Sequence, residues 1–179
     1  REGDVKELLD ALLEDCYELQ ERMMLKGCVY RNARPVKESI ALNDIVLTRD
    51  GDPRVLKLKL YVDGQFLNEF SADGMIVATP TGSTAYNLSA GGPIAQPDGQ
   101  LMILTPICPH TLSFRPIIAP VDAQMCFSMN SEGYISLDGI YTAEISRDDK
   151  IVVSRSERQG AFIKFEERNI YSLIRSKLS

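Results

Sequence analysis

The residues most suited to chemistry lie in a run of small and hydroxyl-bearing side chains. The apolar segment Met75 to Ala78 leads into Thr79 to Thr84, and Tyr86 to Ser89 can begin a short helix. Backbone N–H groups at a helix start, with hydroxyls beside them, suit a polar or anionic ligand, and small residues let the backbone approach it closely. The run matches neither a Walker A loop nor a G-x-G-x-x-G loop. The pattern alone is equally consistent with a binding loop and with a turn that merely caps a helix.

Three aspartates stand at the ends of predicted strands. Asp44 follows Asn43, whereas Asp73 and Asp138 each precede a glycine. A carboxylate accepts hydrogen bonds through both oxygens, so beside an amide it suits ribose hydroxyls or an exocyclic amine. An aspartate is also a common turn residue, and each of the three, taken singly, favours that simpler interpretation.

The single histidine, His110, lies in a proline-punctuated stretch that follows a predicted strand. Histidine can shuttle a proton near neutral pH, but no serine or cysteine nucleophile signature accompanies this one. A structural or ligand-lining role is therefore favoured. The four cysteines form no C-x-x-C pair. Neither a zinc site nor a disulfide scaffold is expected, and reduced cysteines fit a cytoplasmic protein.

Composition excludes several classes of protein. The chain has 179 residues, of which 44% are hydrophobic and 25% charged, as in an ordinary globular protein. Its net charge of −5 argues against a nucleic-acid-binding surface, which needs a basic stripe. No apolar run reaches the roughly 18 residues of a membrane span, so neither nucleic acid nor membrane is expected as a partner.

The elements that must position these residues are predicted to be mainly strands. Apolar residues from Val5 to Met23 recur at helical spacing, and Asn169 to Leu178 shows a second such stripe. Asp63-Gly64 is a strong hairpin signal. Strands are predicted at Ile40 to Leu47, Val55 to Val62, Gln65 to Leu67, Met75 to Ala78, Leu101 to Thr105, Met125 to Met129, Tyr134 to Leu137, Lys150 to Ser154 and Ala161 to Phe165. Turn signals at short intervals predict a mainly β fold, an antiparallel β-sandwich rather than βαβ units.

Two long motifs resemble a known family. The run from Asp73 through Tyr86 and Ser89 to Pro93 closely resembles the NAD kinase signature, and so does Leu104 to Ser113 with Arg115-Pro116. Asn43-Asp44 stands where that family usually has Asn-Glu, so the acidic side chain here is one methylene shorter. The resemblance covers nearly the whole chain, and the two motifs are specific.

The resemblance implies a two-domain enzyme, with an α/β nucleotide-binding domain followed by a β-rich domain that holds much of the dinucleotide. Such enzymes transfer a phosphoryl group from ATP, or from polyphosphate in some members, to the 2′-hydroxyl of the adenosine ribose of NAD. The cofactors expected are NAD, the donor and Mg²⁺ or another divalent cation. A cytoplasmic homodimer or homotetramer is expected.

The family's Gly-Gly-Asp-Gly motif, which carries its catalytic aspartate, does not occur in this sequence. The chain therefore resembles the second domain alone. The expected organisation is a connecting helix over 1–24, a β-rich NAD-binding domain over 25–165 and a C-terminal helix over 166–179. No catalytic residue is expected within the chain, and the chain by itself is expected to be inactive.

The resemblance also assigns binding roles to individual residues. Asn43 and Asp44 resemble the pair that holds the adenosine ribose, and Asp73 resembles a second ligand carboxylate of the same pocket. Contacts to base and sugar are assigned to Thr84, Ala85, Tyr86, Asn87, Leu88 and Ser89. Weaker candidates are Asp138, His110 and Ile140, the last standing where the family often has a polar residue. No residue is assigned to a metal.

Two other functions remain open at this point. A lipid kinase of the diacylglycerol or sphingosine type shares the architecture, but it lacks the Thr-Gly-Ser-Thr-Ala-Tyr stretch and should have an apolar acceptor groove. A non-catalytic dinucleotide-binding or oligomerisation module would need no further domain. The sequence leaves open the phosphate donor, the choice between NAD and NADH, and the oligomer.

Overall fold

Antiparallel strands build the structure, a computed structural model that describes residues 2–51, 55–110, 114–165 and 175. The first sheet has the order β2 (Arg34–Ala41), β1 (Glu18–Arg31), β12 (Lys150–Lys164), β9 (Met125–Met129), β4 (Leu56–Val62) and β5 (Gln65–Ala72). The second has the order β11 (Ile140–Ile145), β10 (Gly133–Leu137), β3 (Asp44–Arg49), β6 (Gly74–Ala78), β7 (Leu101–Ile107) and β8 (Ile117–Pro120).

The core lies between the two sheets and is built from alternating strand residues. In β4 the side chains of Leu56, Leu58 and Leu60 are fully buried, and the lysines between them are exposed. The central cluster joins these leucines to Leu47 and Met75 of the second sheet. Two sheets that share one apolar interior form a sandwich, so the predicted antiparallel β-sandwich is confirmed.

The outer face of the second sheet is covered by the segment 79–100. This segment contains a 3₁₀ turn, Thr81–Thr84, and a short helix, α2 (Tyr86–Ser89). Beneath it lies a small second cluster of buried residues, Val46, Ile76, Ala78 and Ile103, against which Ala90, Ala95, Leu101 and Ile107 pack. The predicted strand over 75–78 and the predicted short helix are both confirmed. Their packing fixes where the hydroxyl-rich run lies on the sheet.

The first helix, α1 (Glu2–Leu13), is shorter than predicted. It ends where Asp15 adopts a left-handed conformation with φ of 53°, and the N–H of Cys16 bonds to the carbonyl of Ala11 at 2.8 Å. The prediction of a helix over 1–24 is wrong from Glu18 onward, because β1 pairs there with β12. Apolar residues in this stretch fit either period, and pairing with a distant strand decides between them.

Other sequence predictions vary in outcome. The Asp63-Gly64 hairpin is confirmed, with φ of 50° and 78° at the two turn residues. The predicted strand over Ile40 to Leu47 is interrupted at residues 42 and 43, and the two strands predicted within 150–165 form one continuous strand. Strands β8 and β11 were not predicted. The C-terminal helix expected over 166–179 lies outside the described residues, apart from position 175. No helix in the described part of the chain has the length and apolar character needed to cross a membrane.

An ion pair between the half-exposed Arg31 side chain and the buried Asp149 carboxylate ties the end of β1 to the turn before β12. The Nε and Nη2 atoms of Arg31 donate to the two carboxylate oxygens of Asp149 at 2.9 and 2.7 Å, and the N–H of Ser146 donates at 2.8 Å. The Asp149 side chain is 1% exposed. The bond from Arg31 holds the pKa of Asp149 below its ordinary value.

We expect Asp149→Asn to lower the free energy of unfolding at pH 7 by about 1.5–3 kcal/mol, the usual value of a hydrogen bond to a charged group. A depressed carboxyl pKa stabilises the fold above the pKa of the unfolded chain, and this contribution is lost as the pH falls through the folded pKa. The difference in free energy of unfolding between the wild-type protein and Asp149→Asn should therefore shrink at acid pH. Urea unfolding at several pH values measures it.

The matched control is Asp122→Asn, since Asp122 is 86% exposed and lies 3.8 Å from Arg155. An exposed pair contributes little, so this change should cost less than about 1 kcal/mol. Equal losses of unfolding free energy in Asp149→Asn and Asp122→Asn would contradict the assignment of stability to the pair of Arg31 and Asp149.

Candidate functional site

A cleft of about 560 Å³ lies on the outer face of the second sheet, where β3, β10 and β11 meet the start of α2. Alternate residues of paired strands face it, with Val46 opposite Ser136 and Thr48 opposite Tyr134. Among the residues that the structure describes, its lining is formed by Asn43, Asp44, Val46, Thr48, Ala85, Tyr86, Tyr134, Ser136, Asp138, Gly139 and Tyr141.

The sharp bend between β2 and β3, formed by Leu42, Asn43 and Asp44, is held from two sides; we call it the 42–44 corner. The carboxylate of Asp138 accepts the N–H groups of Leu42, Asn43 and Asp44 at 2.7, 2.7 and 3.2 Å. The N–H of Asp138 donates to the Asp44 carbonyl at 3.0 Å. Thr79 supplies the opposite side, since its N–H donates to the Asn43 carbonyl at 2.8 Å and its hydroxyl to the Leu42 carbonyl at 2.7 Å. All six backbone polar groups of the corner are thereby bonded.

The 3₁₀ turn packs directly on this corner. A Cβ atom at Gly82 would collide with the carbonyl of Asn43, and one at Gly92 would collide with the side-chain amide of Asn87. Asn87 is fully buried; its oxygen accepts the Thr105 hydroxyl at 2.7 Å, and its nitrogen donates to two carbonyls, those of Ser83 and Pro93. Asn87 therefore anchors α2 rather than facing the cleft.

Asp44 is the most unusual residue of the cleft. Its side chain is buried, with the residue only 4% exposed, yet its carboxylate receives no hydrogen bond from the described residues. Burial, and to a smaller extent the negative charge of Asp138, raises the pKa of Asp44 to about 6. A buried carboxylate without a partner destabilises a fold, and such groups concentrate at functional sites.

The rest of the lining combines flat aromatic faces with neutral polar groups. The rings of Tyr134 and Tyr141 lie 6.0 Å apart at 46°, and Tyr86 is 45% exposed at the start of α2. The hydroxyl of Thr48 is buried and has no hydrogen-bond partner in the described part of the chain. Within the described ranges, no Lys, Arg or His lines the cleft. These groups suit a neutral, hydroxyl-rich ligand with a planar ring, as in a nucleoside, better than a phosphate.

Some of the predicted site residues come together and others do not. Asn43, Asp44, Ala85, Tyr86 and Asp138 all line the cleft. The sequence-based assignments missed a further set of lining residues, namely Val46, Thr48, Tyr134, Ser136 and Tyr141. The sequence shows the alternation of side chains along the strand predicted at Tyr134 to Leu137. It does not show which strand pairs with it.

Asp73 lies at the opposite end of β6 from the cleft. Asp44 pairs with Ala78, whereas Asp73 precedes Gly74, so roughly 16 Å of strand separates them. The Asp73 carboxylate lies 3.0 Å from an Arg49 nitrogen and 3.8 Å from Nε2 of His110. The expectation that Asp73 and Asp44 share one pocket is therefore not met by this structure.

The remaining candidates also lie outside the lining of the cleft. Ile140 is 71% exposed at the start of β11, and Thr84, Leu88 and Ser89 belong to the turn and helix above the sheet. Ligand contacts by these residues stay predictions.

A metal ion finds no ready set of ligands here. Within the ranges that the structure describes, no group of three or more His, Cys, Asp or Glu side chains could hold one. The Asp138 carboxylate is already occupied by three N–H groups. These residues by themselves do not fit Mg²⁺ as a resident ion.

The described residues form a sandwich of twelve strands, with an acidic, nucleoside-sized cleft on one outer face. Comparison with known families identifies the class of protein that has this fold. The family model described as the ATP-NAD kinase C-terminal domain matches residues 42–165, and the chain belongs to this family.

Individual relatives agree with this assignment. An NAD kinase from Lachnospira eligens is 41% identical over 189 residues, covering 97% of this chain and 64% of the relative. The yeast NADH kinase solved with NADH superposes with a TM-score of 0.91 at 29% identity, covering 98% of this chain and 54% of that one. An Archaeoglobus fulgidus NAD kinase solved with ATP gives a TM-score of 0.77 at 26% identity, with 96% and 64% covered. The chain spans about three fifths of the length of the curated relatives it matches.

We expect Asp44→Asn to raise the free energy of unfolding at pH 7 and above by about 1–3 kcal/mol, given about 1.4 kcal/mol per pKa unit. The folded pKa of about 6 lies above that of an unfolded aspartate, so the wild-type fold loses stability as the pH rises from about 4 to 6. The neutral amide avoids this loss. The advantage of the variant should vanish near pH 4, as urea unfolding across pH would show.

Asp148→Asn is the control, because Asp148 is exposed in a turn. Its effect should be less than about 0.5 kcal/mol at every pH. A destabilised Asp44→Asn protein at neutral pH would show that the Asp44 carboxylate has a stabilising partner in the folded protein.

Proposed function

We propose that this chain is the dinucleotide-binding part of an NAD kinase, which transfers a phosphoryl group from ATP or polyphosphate to the 2′-hydroxyl of the adenosine ribose of NAD. The observation that carries the proposal is the buried Asp44 carboxylate, which has no hydrogen-bond partner among the described residues and lines a nucleoside-sized cleft. Membership of the ATP-NAD kinase C-terminal domain family supports it. The solved relatives, one with NADH and one with ATP, are consistent with it.

The cleft residues bind and orient the acceptor. The Asp44 carboxylate accepts hydrogen bonds from ribose hydroxyls, and the Asn43 amide offers both a donor and an acceptor beside it. The ring of Tyr86 provides a face for the base. Phosphoryl transfer depends mainly on positioning and on stabilising charge, so holding the 2′-hydroxyl in place is a direct contribution to the rate.

The charge of the cleft determines which part of the dinucleotide it takes. Among the described residues, two carboxylates and no cation line it, so the phosphates of NAD and of the donor are disfavoured there. The neutral adenosine end fits best. Because the described residues offer no metal ligand set, no step is assigned to Mg²⁺ within this chain. Its expected role with the donor phosphates lies outside these residues.

Two alternatives are less well supported. A lipid kinase needs an apolar groove for its acceptor, whereas Asn43, Asp44 and Ser136 make this cleft polar. A purely structural module leaves the buried, unpartnered Asp44 without a reason. The relatives named NAD kinase favour the enzyme.

We also propose that the protein is a cytoplasmic homodimer or homotetramer. Its structural support is apolar exposure on both edge strands of the second sheet, with Ile118 60% exposed on β8 and Ile140 71% exposed on β11. Unpaired sheet edges are templates for pairing with another chain.

In the full-length gene product, Asp44→Ala should lower kcat/KM for NAD about ten- to a hundredfold. The loss corresponds to one charge-assisted hydrogen bond of about 1.5–3 kcal/mol. Asp63→Asn, in the hairpin turn between β4 and β5, should leave kcat/KM nearly unchanged. Steady-state rates of NADP formation measure both. No loss at Asp44, or an equal loss at Asp63, would show that a turn aspartate has been mistaken for a ligand residue.

The 179 residues purified by themselves should not convert NAD to NADP with ATP. Their sequence has no Gly-Gly-Asp-Gly motif. In the described lining of the cleft, Asp44 is assigned to binding the ribose and the Asp138 oxygens already accept three N–H groups, so no further carboxylate or imidazole there can take the proton of the hydroxyl. A coupled assay for NADP, with the full-length gene product as positive control, tests this. Turnover by the 179 residues at a rate near that of the control would contradict the division of roles.

A further inference from the structure

The turn between β10 and β11 reaches the cleft through an unusual side-chain arrangement. Asp138 and Gly139 both have positive φ, 50° and 75°, which closes the tight turn. This geometry directs the Asp138 carboxylate toward residues more than ninety positions earlier in the chain. The turn therefore joins β10 to the 42–44 corner through a side chain as well as through strand pairing.

The two oxygens of the Asp138 carboxylate accept hydrogen bonds from different N–H groups. One oxygen accepts from Leu42, and the other accepts from both Asn43 and Asp44. Charge-assisted bonds to three successive N–H groups fix a backbone more firmly than neutral ones. With three of its acceptor positions used in this way, Asp138 has little capacity left to bind a ligand directly.

Asn43 and Asp44 depend on this arrangement for their orientation. Thr79 holds the carbonyl side of the corner and Asp138 holds the N–H side. Removal of the Asp138 carboxylate would leave the Thr79 contacts in place, so the strands should remain paired while the corner gains freedom.

We propose that Asp138 is a positioning residue of the nucleotide site, whose carboxylate fixes the backbone of the 42–44 corner so that Asn43 and Asp44 meet the adenosine ribose. This rests on the proposed function. It differs from the sequence-based assignment, in which Asp138 was a weak ligand contact.

Asp63 provides a matched control. It also precedes a glycine in a tight turn, with φ of 50° and 78° at the two positions, and its carboxylate accepts the N–H of Gln124 at 2.8 Å. Asp63 lies in the first sheet, outside the lining of the cleft. The same substitutions at Asp63 and Asp138 therefore separate loss of an Asp-Gly turn from loss of the corner.

The experiment compares Asp138→Ala, Asp138→Asn, Asp63→Ala and Asp63→Asn in the full-length gene product. Asp138→Ala should raise KM for NAD about tenfold or more, as loss of one or two such bonds predicts, with KM for ATP changed less than about twofold. Asp138→Asn keeps an oxygen for Asn43 and Asp44 and should restore much of the affinity. Neither Asp63 variant should change KM for NAD.

Amide hydrogen exchange of the free protein reports the corner without reference to activity. Asp138→Ala should lose protection at Leu42, Asn43 and Asp44, whereas Asp138→Asn should lose it mainly at Leu42. The pH profile is a second readout that a purely structural role would not move. In the part of the lining that the structure describes, Asp138 is the second carboxylate, there is no cation, and the other titratable groups are Tyr86, Tyr134 and Tyr141. Asp138→Asn should therefore shift the acid limb of kcat/KM for NAD to lower pH.

The outcomes separate the two hypotheses. Unchanged exchange at the corner in Asp138→Ala, or KM for NAD within twofold of wild type, overturns the positioning role. An equal rise in KM for Asp63→Ala also overturns it. A wild-type protein that neither binds NAD nor forms NADP refutes the proposed function, and with it the ribose as the corner's ligand. In that case the exchange data still decide whether Asp138 fixes the corner.

Discussion

The structure depends on the bonding of six backbone groups at the 42–44 corner. Strand pairing brings their partners there, since Asp44 pairs with Ala78 next to Thr79, and Leu137 pairs with Ile45 next to Asp138. A change of register by one residue would remove both partners and turn the core side chains of β3 outward. The core and the cleft therefore require the same register, because one set of strand pairings positions both.

Two buried aspartates show how the protein distributes stability. Asp149 is paired with Arg31 and has a lowered pKa, whereas the Asp44 carboxylate has no hydrogen-bond partner among the described residues and has a raised pKa. The first arrangement strengthens the fold at neutral pH and the second weakens it. A residue that lowers stability and is nonetheless held in place by a set of backbone bonds is expected at a ligand site, which agrees with the proposed role of Asp44 at the ribose.

Local patterns were enough to predict part of this arrangement. The alternation in β4 and the Asp63-Gly64 turn are local signals, and the sequence motifs pointed to Asn43, Asp44 and Tyr86 before the fold was known. Thr48, Tyr134 and Tyr141 were not predictable, because they meet only through pairing between strands about ninety residues apart. The same limit explains the error over 18–24, where a partner strand more than a hundred residues later determines the conformation.

Gly82 and Gly92 have a consequence for how such sequences diverge. Both are required by close packing, one against the corner and the other against the Asn87 amide. Substitution at either position would disturb the packing of the segment 79–100 on the second sheet, whatever ligand the protein binds. Selection for folding alone would therefore preserve these glycines, and a descendant that no longer bound a ligand at the cleft could retain them for many generations. In such lineages the acidic residue at position 44, which the fold does not need, would be substituted before Gly82 or Gly92.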